Sequence, residues 1–417
     1  MKCAVIAIGD ELITGKVVDE NSAWISDRLM EIGVPTAMHL TVADEIPGII
    51  DAFRLAGERA DLVIVTGGLG PTEDDMTRDA FCKFAGVGAI LSEPALEQIK
   101  GMFRMIGREM TGNNVKQAMV PAGSELIRNP VGTAPGFAMK VGRAAYRFLP
   151  GVPRECKVMM EDGVLPALAA LVTGSVFRTR LFRTFGMTES QLDQTLSGIA
   201  LPEGVKLGYR AVFPEIHLKL IARGEDEKRA MDKLAAVEAE VRKRVGQVIY
   251  SDDGRGLEEV VLDLMRGRGL KLAVAESCTG GLIVKRLTDV PGSSDVLDRG
   301  FITYSNRAKS DLLGVDPELI KKHGAVSSET ARAMALGALK RSDAQVALAV
   351  TGIAGPAGGT ADRPVGTVHM AIADQNGVWE NRFLFARADR TWVRELTAQA
   401  ALEIIRRRVA GLDEFKR

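Results

Sequence analysis

Residues 271–281 read "KLAVAESCTGG", and this stretch decides the fold class of the C-terminal half. An apolar run about as long as one strand is followed directly by polar residues and two glycines. Such a run is typical of a parallel strand buried on both faces, with a glycine turn leading into a helix. Residues 60–68, "ADLVIVTGG", have the same form in the N-terminal half. Strands that alternate with helical patterns on both sides of these stretches predict layered α/β domains.

The predicted pattern of secondary structure changes between these two regions. From residue 175 to residue 251, amphipathic strands and two helices follow in the order β-α-β-β-α-β, which indicates a small split α+β module. With 417 residues the chain is too long for one ordinary domain. We therefore predict an α/β class protein in which two layered α/β domains, residues 1–174 and 255–417, flank an α+β module at residues 175–251.

Composition excludes several classes of partner. Lys and Arg number 54, as do Asp and Glu, so the net charge is zero and no basic field favours nucleic acid or a membrane. The four cysteines are scattered, without a C-x-x-C pair, which argues against a zinc site or a disulfide framework. No uncharged apolar stretch reaches the about 20 residues that span a bilayer. We expect a soluble, cytoplasmic protein.

Four polar clusters follow strand ends or turns in the C-terminal domain: "AESCTGG", "FITYSNRAKSDLLGV", "GAVSSETA" and "VTGIAGPAGGTADRPVGTV". Ligands of open α/β sheets bind beyond the carboxyl ends of the strands. Ser277 lies at such an end but needs a base, and neither His323 nor His369 lies in a glycine-rich or serine-rich cluster. Lys309 does, and a desolvated lysine can deprotonate a serine. The pattern predicts a Ser277–Lys309 pair with Tyr304 as relay.

Each cluster alone has a plainer interpretation. "SCTGG" by itself is more often a turn than a nucleophile site, and Lys309 by itself is more often a solvated lysine. Cys278 is more typical of a small buried residue than of a nucleophile, because no cation is close to it in sequence. If the turn does hold a ligand, its glycines would expose amides at a helix start for an oxyanion or a phosphate. The joint occurrence of all four clusters favours a functional site.

Together these clusters resemble the C-terminal domain of the CinA family, the nicotinamide mononucleotide deamidases, over roughly residues 257–411. The resemblance implies hydrolysis of the carboxamide of nicotinamide mononucleotide to give nicotinic acid mononucleotide and ammonia, without a metal. It implies that Ser277 is the nucleophile, Lys309 the base and Tyr304 a catalytic tyrosine. Two further arginines, Arg387 and Arg394, lie close to Arg390 in the sequence. The substrate-contacting positions that the resemblance implies are Glu276, Thr279, Gly280, Asn306, Thr351, Gly352 and Arg390.

The N-terminal domain carries its own candidate site in residues 65–80, "VTGGLGPTEDDMTRDA". Loop amides of such a glycine-rich turn can cradle phosphate, and adjacent carboxylates can hold a divalent ion. The acids Glu73, Asp74 and Asp75 would also suit an ordinary helix start. The loops "AIGDELITG", "NPVGTAPGF" and "LPGVPRE" add an acid pair and further glycine-proline turns.

These loops resemble the domain shared with molybdopterin-binding proteins, in the form that begins CinA chains. That resemblance implies ADP-ribose pyrophosphatase activity with a divalent cation (Mg, Mn or Co), giving AMP and ribose 5-phosphate. It implies metal or phosphate contacts from three acids, Asp10, Asp74 and Asp75. The positions that it places on the phosphates are Gly67, Gly68, Gly70 and Thr72.

The middle module resembles the KH-like piece that joins the two catalytic domains of CinA. It lacks a clear G-x-x-G loop and stacking aromatic residues, so we expect no RNA binding and favour a spacer or dimer-forming role in a homodimer. The whole chain is then predicted to be a bifunctional hydrolase of pyridine-nucleotide salvage. Two alternatives stay open: the N-terminal domain binds molybdopterin or a nucleotide without hydrolysis, or the chain is a non-enzymatic competence-associated protein. Zero net charge argues against a DNA-associated role for the latter.

Overall fold

A computed structural model of the chain describes residues 1–171, 176–386 and 389–413. The N-terminal elements in chain order are β1 Cys3–Ile8, α1 Asp10–Ile13, α2 Glu20–Glu31, β2 Thr36–Val42, α3 Ile46–Arg59, β3 Leu62–Thr66, α4 Thr77–Ala85, β4 Ala89–Leu91, α5 Glu93–Met105, β5 Met119–Pro121, β6 Glu125–Ile127, β7 Gly136–Val141, β8 Ala144–Leu149, α6 Pro153–Met159 and α7 Leu165–Ala169.

The N-terminal sheet is mixed rather than parallel throughout. Its strand order is β2-β1-β3-β8-β7-β6. β1 is parallel to β2 and β3, and β3 is parallel to β8, whereas β7 is antiparallel to both of its neighbours. The reason is the connection: Gly142 has a φ of 59° in the two-residue turn between β7 and β8, and so short a link can join only antiparallel strands.

The middle elements are β9 Val176–Thr184, α8 Glu189–Leu196, β10 Val205–Val212, β11 Glu215–Gly224, α9 Glu227–Val245 and β12 Ile249–Ser251. They follow the predicted order β-α-β-β-α-β and form a sheet ordered β10-β11-β9-β12. α8 begins with a capping box, in which the Thr188 side chain and the Gln191 side chain each bond the other's backbone N–H.

The C-terminal elements are α10 Leu257–Gly267, β13 Leu272–Glu276, α11 Leu282–Thr288, β14 Leu297–Ile302, α12 Asn306–Leu313, α13 Pro317–His323, α14 Ser328–Lys340, β15 Val346–Gly352, β16 Thr367–Asp374, β17 Gly377–Leu384 and α15 Arg390–Ala410. The sheet order is β14-β13-β15-β16-β17. β13 is parallel to β14 and β15, and the remaining pairs are antiparallel. The predicted class of two layered α/β domains and an α+β module is confirmed.

Helix α14 packs on one face of the C-terminal sheet, and alanines make that face flat. Alternate residues of β13, β15 and β16 belong to the same apolar cluster as the inner side of α14. Small side chains let the helix lie close to the sheet, so polar groups just beyond the alanines are brought within reach of the helix start. The alanines of the three strands are Ala273, Ala275, Ala347, Ala349, Ala371 and Ala373.

The chain forms two compact units, residues 1–179 with 222–233 and residues 180–221 with 234–417. The middle module contributes to both, so this division differs from the predicted domain boundaries, which remain predictions. The predicted boundary between residues 174 and 175 lies outside the described residues. Across the described ranges, no helix combines the length and the apolar character needed to cross a bilayer.

Candidate functional site

A buried carboxylate holds the turn after β13. Glu276 has no exposed surface, and its side chain accepts hydrogen bonds from the backbone N–H groups of Gly281 (2.9 Å), Ile283 (3.2 Å) and Val284 (2.9 Å). Gly280, with a φ of 57°, makes the turn that a side chain would strain. The amides that start α11 are therefore already bonded. These three amides have no free N–H for an oxyanion or a phosphate. Glu276 positions the turn, and the substrate contact expected of it stays a prediction.

The turn brings the predicted nucleophile and base together. The Nζ atom of Lys309 lies 3.1 Å from the Oγ atom of Ser277 and donates to the carbonyl of Thr303 at 2.8 Å. The backbone of Ser277 is held in place because its N–H donates to the carbonyl of Val350 on β15 at 3.1 Å. The two side chains are 32 residues apart in sequence, and their contact is buried.

Lys309 reaches Ser277 because α12 begins directly beyond the end of β14. The side chain of Ser305 caps α12 by accepting from the Ala308 N–H at 3.0 Å. Thr303 N–H donates to the Glu276 carbonyl at 2.7 Å, so both strand ends are joined where Lys309 enters. Lys309 is 1% exposed, and burial lowers the pKa of its ammonium group. The arrangement favours a neutral amine next to a serine hydroxyl.

Cys278 is chemically unsuited to the role of nucleophile. Burial raises the pKa of its thiol to about 12, so the thiolate that reacts is scarce at neutral pH. Its Sγ atom lies close to Gly352, where an added Cβ would come within 3.1 Å of it. The thiol fills space between two strand ends.

Tyr304 lies on the outside of the site. Its side chain is 63% exposed, and its hydroxyl accepts a hydrogen bond from Arg390 at 3.2 Å. Arg390 also donates to the Gly355 carbonyl at 2.9 Å. Lys309 contacts Ser277 and Thr303, and the role of Tyr304 as a relay stays a prediction. Tyr304 and Arg390 form a pair at the rim, and Arg387 lies outside the described residues.

The remaining predicted contacts differ in what they do. Asn306 is exposed in the first turn of α12. The hydroxyl of Thr351 donates to the Ala325 carbonyl at 2.7 Å, which ties β15 to the segment before α14. The carbonyl of Thr279 accepts from Arg394 (Nη2 at 2.7 Å), and in the described part of the chain its buried hydroxyl has no hydrogen-bond partner. Arg394 therefore supports the turn from the α15 side.

A serine–histidine contact that was not predicted from the sequence lies on the same sheet face. Nδ1 of His369 lies 3.0 Å from the hydroxyl of Ser328, the first residue of α14. Burial, followed by the positive charges of Arg382 and Arg363, lowers the pKa of His369 to about 4. "GAVSSETA" marked Ser328 as a cluster member, but His369 lies in an ordinary strand pattern 41 residues away.

In the N-terminal unit, the four predicted loops converge on one cavity of about 420 Å³. Gly67 and Gly68 have φ values of 107° and 64°, and a Cβ on Gly67 would come within 2.1 Å of the Ile8 carbonyl. Glycine is thus required there for the strand-end turn. Residues from each loop line the cavity, among them Gly9, Asp44, Gly67, Gly68, Gly70, Asp74, Asp75, Thr133, Gly151 and Glu155.

Asp75 shapes the glycine loop from within. Its carboxylate accepts from the backbone N–H groups of Gly70 (2.7 Å) and Thr72 (2.8 Å) and from the Thr72 hydroxyl (2.5 Å). A side chain of Lys116 bonds the Thr72 carbonyl. Asp75 and Thr72 therefore hold each other, and the metal contact of Asp75 and the phosphate contact of Thr72 stay predictions.

The predicted metal ligands do not form a set. Asp10 pairs instead with Asp44, because each backbone N–H donates to the other's carboxylate, at 2.9 and 3.1 Å. Partial burial, with the nearby charges of Asp10, Glu11 and Asp74, raises the pKa of Asp44. Over residues 1–171, 176–386 and 389–413, no group of three or more His, Cys, Asp or Glu is arranged to hold a metal ion. Protein side chains alone do not fit a bound divalent cation here.

Fold and site define a multidomain protein with two α/β domains and a small α+β module, and with a buried serine–lysine contact in the second α/β domain. Residues 4–170 match the family described as "Probable molybdopterin binding domain", residues 179–251 the "Damage-inducible protein CinA KH domain" and residues 255–409 the "CinA C-terminal domain". The chain belongs to the family of CinA-like proteins, as its relatives show.

A CinA-like protein of Geotalea uraniireducens (strain Rf4) is 43% identical over 414 residues, 99% of this chain and 98% of the relative. A CinA-like protein of Shewanella amazonensis is 41% identical over 412 residues, 99% of this chain and 96% of the relative. Among solved structures, the competence/damage inducible protein CihA from Agrobacterium tumefaciens is 49% identical, with a TM-score of 0.35 over 36% of this chain and 91% of that one. A CinA superfamily protein from Klebsiella pneumoniae is 31% identical, with a TM-score of 0.36 over 38% and 99%.

Proposed function

We propose that the C-terminal domain is an amidohydrolase that deamidates nicotinamide mononucleotide. The observation that carries this proposal is the buried 3.1 Å contact between Ser277 Oγ and Lys309 Nζ. A primary amide is a poor electrophile, so its hydrolysis needs both an activated nucleophile and a site that stabilises the oxyanion. The family resemblance supplies the substrate, and the pair supplies the nucleophile and the base.

The contacts of Lys309 suit a neutral amine. One N–H is donated to the Thr303 carbonyl, and the same nitrogen lies 3.1 Å from Ser277 Oγ, close enough for a neutral amine to accept the hydroxyl proton. Ser277 Oγ attacks the carboxamide carbon while its proton passes to Lys309. The ammonium then returns that proton to the departing ammonia as the C–N bond breaks, which leaves an ester on Ser277. Water, deprotonated by Lys309, hydrolyses the ester and releases the carboxylate product.

The tetrahedral intermediate needs donors beside Ser277. The next two backbone N–H groups, of Cys278 and Thr279, bond no other residue within the described ranges. They stand in the turn that Glu276 and Arg394 hold from opposite sides. We assign the oxyanion to these two amides, in place of the amides that start α11. Pre-oriented donors of this kind contribute about two to three orders of magnitude in rate.

The decisive experiment is ammonia release from nicotinamide mononucleotide by the purified full chain, compared with Ser277→Ala. We expect turnover by the wild type and none by the variant, with nicotinic acid mononucleotide formed in equal amount to ammonia. A wild-type chain that releases no ammonia would refute the proposal.

We further propose that the N-terminal domain binds a nucleotide with two phosphates in the glycine-lined cavity and hydrolyses ADP-ribose to AMP and ribose 5-phosphate. The observation that carries this proposal is the convergence of four loops on one cavity of about 420 Å³. Because no ligand set for a metal is preformed, any divalent cation would have to be held together with substrate phosphates. The test is AMP release from ADP-ribose with and without Mg²⁺, Mn²⁺ or Co²⁺. Binding of ADP-ribose without AMP release would favour a nucleotide-binding domain.

A further inference from the structure

A row of polar side chains continues the alanine face of the C-terminal sheet. In the strand register, Ser277 follows the pair of Glu276 with Val350, and Thr351 lies opposite His369. His369 in turn lies opposite Arg382 on β17. Cross-strand partners share a face of the sheet, so these four side chains form one row across β13, β15, β16 and β17.

The far end of this row is a cationic cluster. Arg382 donates from Nη2 to the Asp362 carbonyl at 3.0 Å, and Arg363 donates from Nη2 to the His323 carbonyl at 2.9 Å. Each guanidinium carries five N–H groups, so each keeps donors beyond those contacts. His369 lies between them and the start of α14, where Ser328 holds its ring. Arg363 also packs over Gly324, whose added Cβ would meet its Nη1 at 2.5 Å.

Two carboxylates lie near this cluster, those of Glu329 and of Glu380, which is two residues from Arg382 on the same face of β17. A carboxylate oxygen of Glu329 lies 3.1 Å from His323 Nδ1, and the Glu329 side chain is 49% exposed. Arg332 Nη1 lies 4.0 Å from Glu380. At the His369 ring the positive charges of Arg382 and Arg363 outweigh the negative charge of Glu329 and, after burial, contribute to the lowered pKa of His369. α14 adds to the positive charge, because the start of this 13-residue helix carries the positive end of the helix dipole.

The spacing of the row fits a mononucleotide. Adjacent strands lie about 4.8 Å apart, so Ser277 and His369 are separated by about 10 Å, two strand spacings. That span lets a nicotinamide carboxamide lie at Ser277 while the 5′-phosphate lies beyond the ribose at the arginines. The alternative location, the amides at the start of α11, is closed because Glu276 occupies them.

We infer that His369, Ser328, Arg363 and Arg382 form the subsite for the substrate's phosphate, and that this subsite makes the enzyme select a phosphorylated nucleotide over its nucleoside. The inference rests on the proposed deamidase function and names the group that the site recognises. Arg382 is the residue to change, because it is exposed on an edge strand and its loss leaves the core intact.

The experiment compares nicotinamide mononucleotide with nicotinamide riboside, which lacks the phosphate. For Arg382→Gln we expect KM for the mononucleotide to rise roughly 10- to 100-fold, the worth of one charge-assisted contact, with kcat nearly unchanged. Kinetics with the riboside should not change. The control is Arg266→Gln, which removes the same charge away from the row, from an arginine on α10 that pairs with Asp263. Equal effects on both substrates, or none on either, would overturn the inference.

The subsite is also tested by equilibrium binding to variants that do not turn over substrate. Nicotinamide mononucleotide is titrated into Ser277→Ala and into Ser277→Ala with Arg382→Gln, with inorganic phosphate as a second probe. We expect the second protein to bind both probes at least tenfold more weakly. Equal binding by the two proteins, or no binding of either probe to Ser277→Ala, overturns the subsite. Loss that follows Arg390→Gln instead would move the phosphate to the rim beside Tyr304. Absence of ammonia release by the wild type is a separate result that concerns the proposed function alone.

Discussion

Replacing Lys309 with methionine separates its chemical role from its structural one. Methionine has a similar length and no charge, and the site is almost fully buried, so the side chain can occupy the same space. A positioned general base contributes about 10²- to 10⁴-fold in rate, which corresponds to about 3–5 kcal/mol of transition-state stabilisation. We therefore expect Lys309→Met to lose at least about two orders of magnitude in kcat for ammonia release while it stays folded.

The sign of the pH dependence follows from the lowered pKa of Lys309. The base must be neutral, so the deamidation rate should rise with pH through a single apparent pKa below the ordinary lysine value of about 10.4. The free energy of unfolding should also increase with pH. Between the lowered folded pKa and the unfolded value, the unfolded state binds more protons, so the free energy of unfolding increases with pH. Lys309→Met should lack this slope and should be no less stable than the wild type at pH 7.

The assays are ammonia release from pH 6 to 10 and urea unfolding over the same range. Lys321→Met, on the exposed surface of α13, is the matched control and should behave as the wild type does. Lys309→Arg adds a sharper question, because a guanidinium keeps the charge but does not deprotonate in this range. We expect it to be nearly inactive. Wild-type turnover by the arginine variant, or a flat pH profile, would refute the assignment of Lys309 as base and leave it as a charge for the substrate.

Cys278→Ala should keep most deamidase activity, because its thiol is protonated at neutral pH; a dead Cys278→Ala beside an active Ser277→Ala would exchange their roles. EDTA should stop AMP release from ADP-ribose and spare ammonia release, and loss of both activities in a folded chain would contradict a metal-free C-terminal site. Burial alone would raise the pKa of Glu215, but hydrogen bonds from His217 and Arg183 outweigh it and lower the pKa to about 2. About 3 kcal/mol of stability should therefore be lost as the pH falls from about 4.5 to 2, and Glu215→Gln should unfold with a shallower acid dependence. A fragment of residues 257–417 should fold and deamidate, with a lower Tm than the full chain, because Phe185 and Tyr250 belong to the same core; a folded but inactive fragment would show that the site needs other residues.

The strands that carry the site were predictable because burial on both faces leaves a continuous apolar run. β3, β13 and β15 are runs of this kind, and each ends where a polar cluster begins. β17 was not predicted, because its exposed edge position gives the polar pattern "GVWENRFL". The antiparallel pairs were missed for a related reason: strand composition records burial, but strand direction depends on the length of the connection.

Side-chain contacts were predictable only where two residues belonged to recognisable clusters. Ser277 and Lys309 did, and they lie in contact. The bonds of Glu276 were not predictable, because they run to three amides that come together only when α11 has formed. The partners of Asp75 were not predictable either, since they are the amides of its own turn. A local sequence reveals an acid, but only the folded backbone decides whether that acid is already satisfied.

The two α/β domains present their candidate sites differently, and this difference has a consequence for mutation. The N-terminal cavity is bounded by backbone at glycine turns, so substitutions at Gly67 would act through steric clash with the Ile8 carbonyl and would damage the turn itself. The C-terminal site is a row of side chains on a rigid sheet edge, where Ser277 or Arg382 can be replaced without moving a strand. Substitutions in the C-terminal site can therefore test a single catalytic or binding role. A substitution in the N-terminal loops that abolishes activity also requires a measurement of folding before the loss is assigned to chemistry.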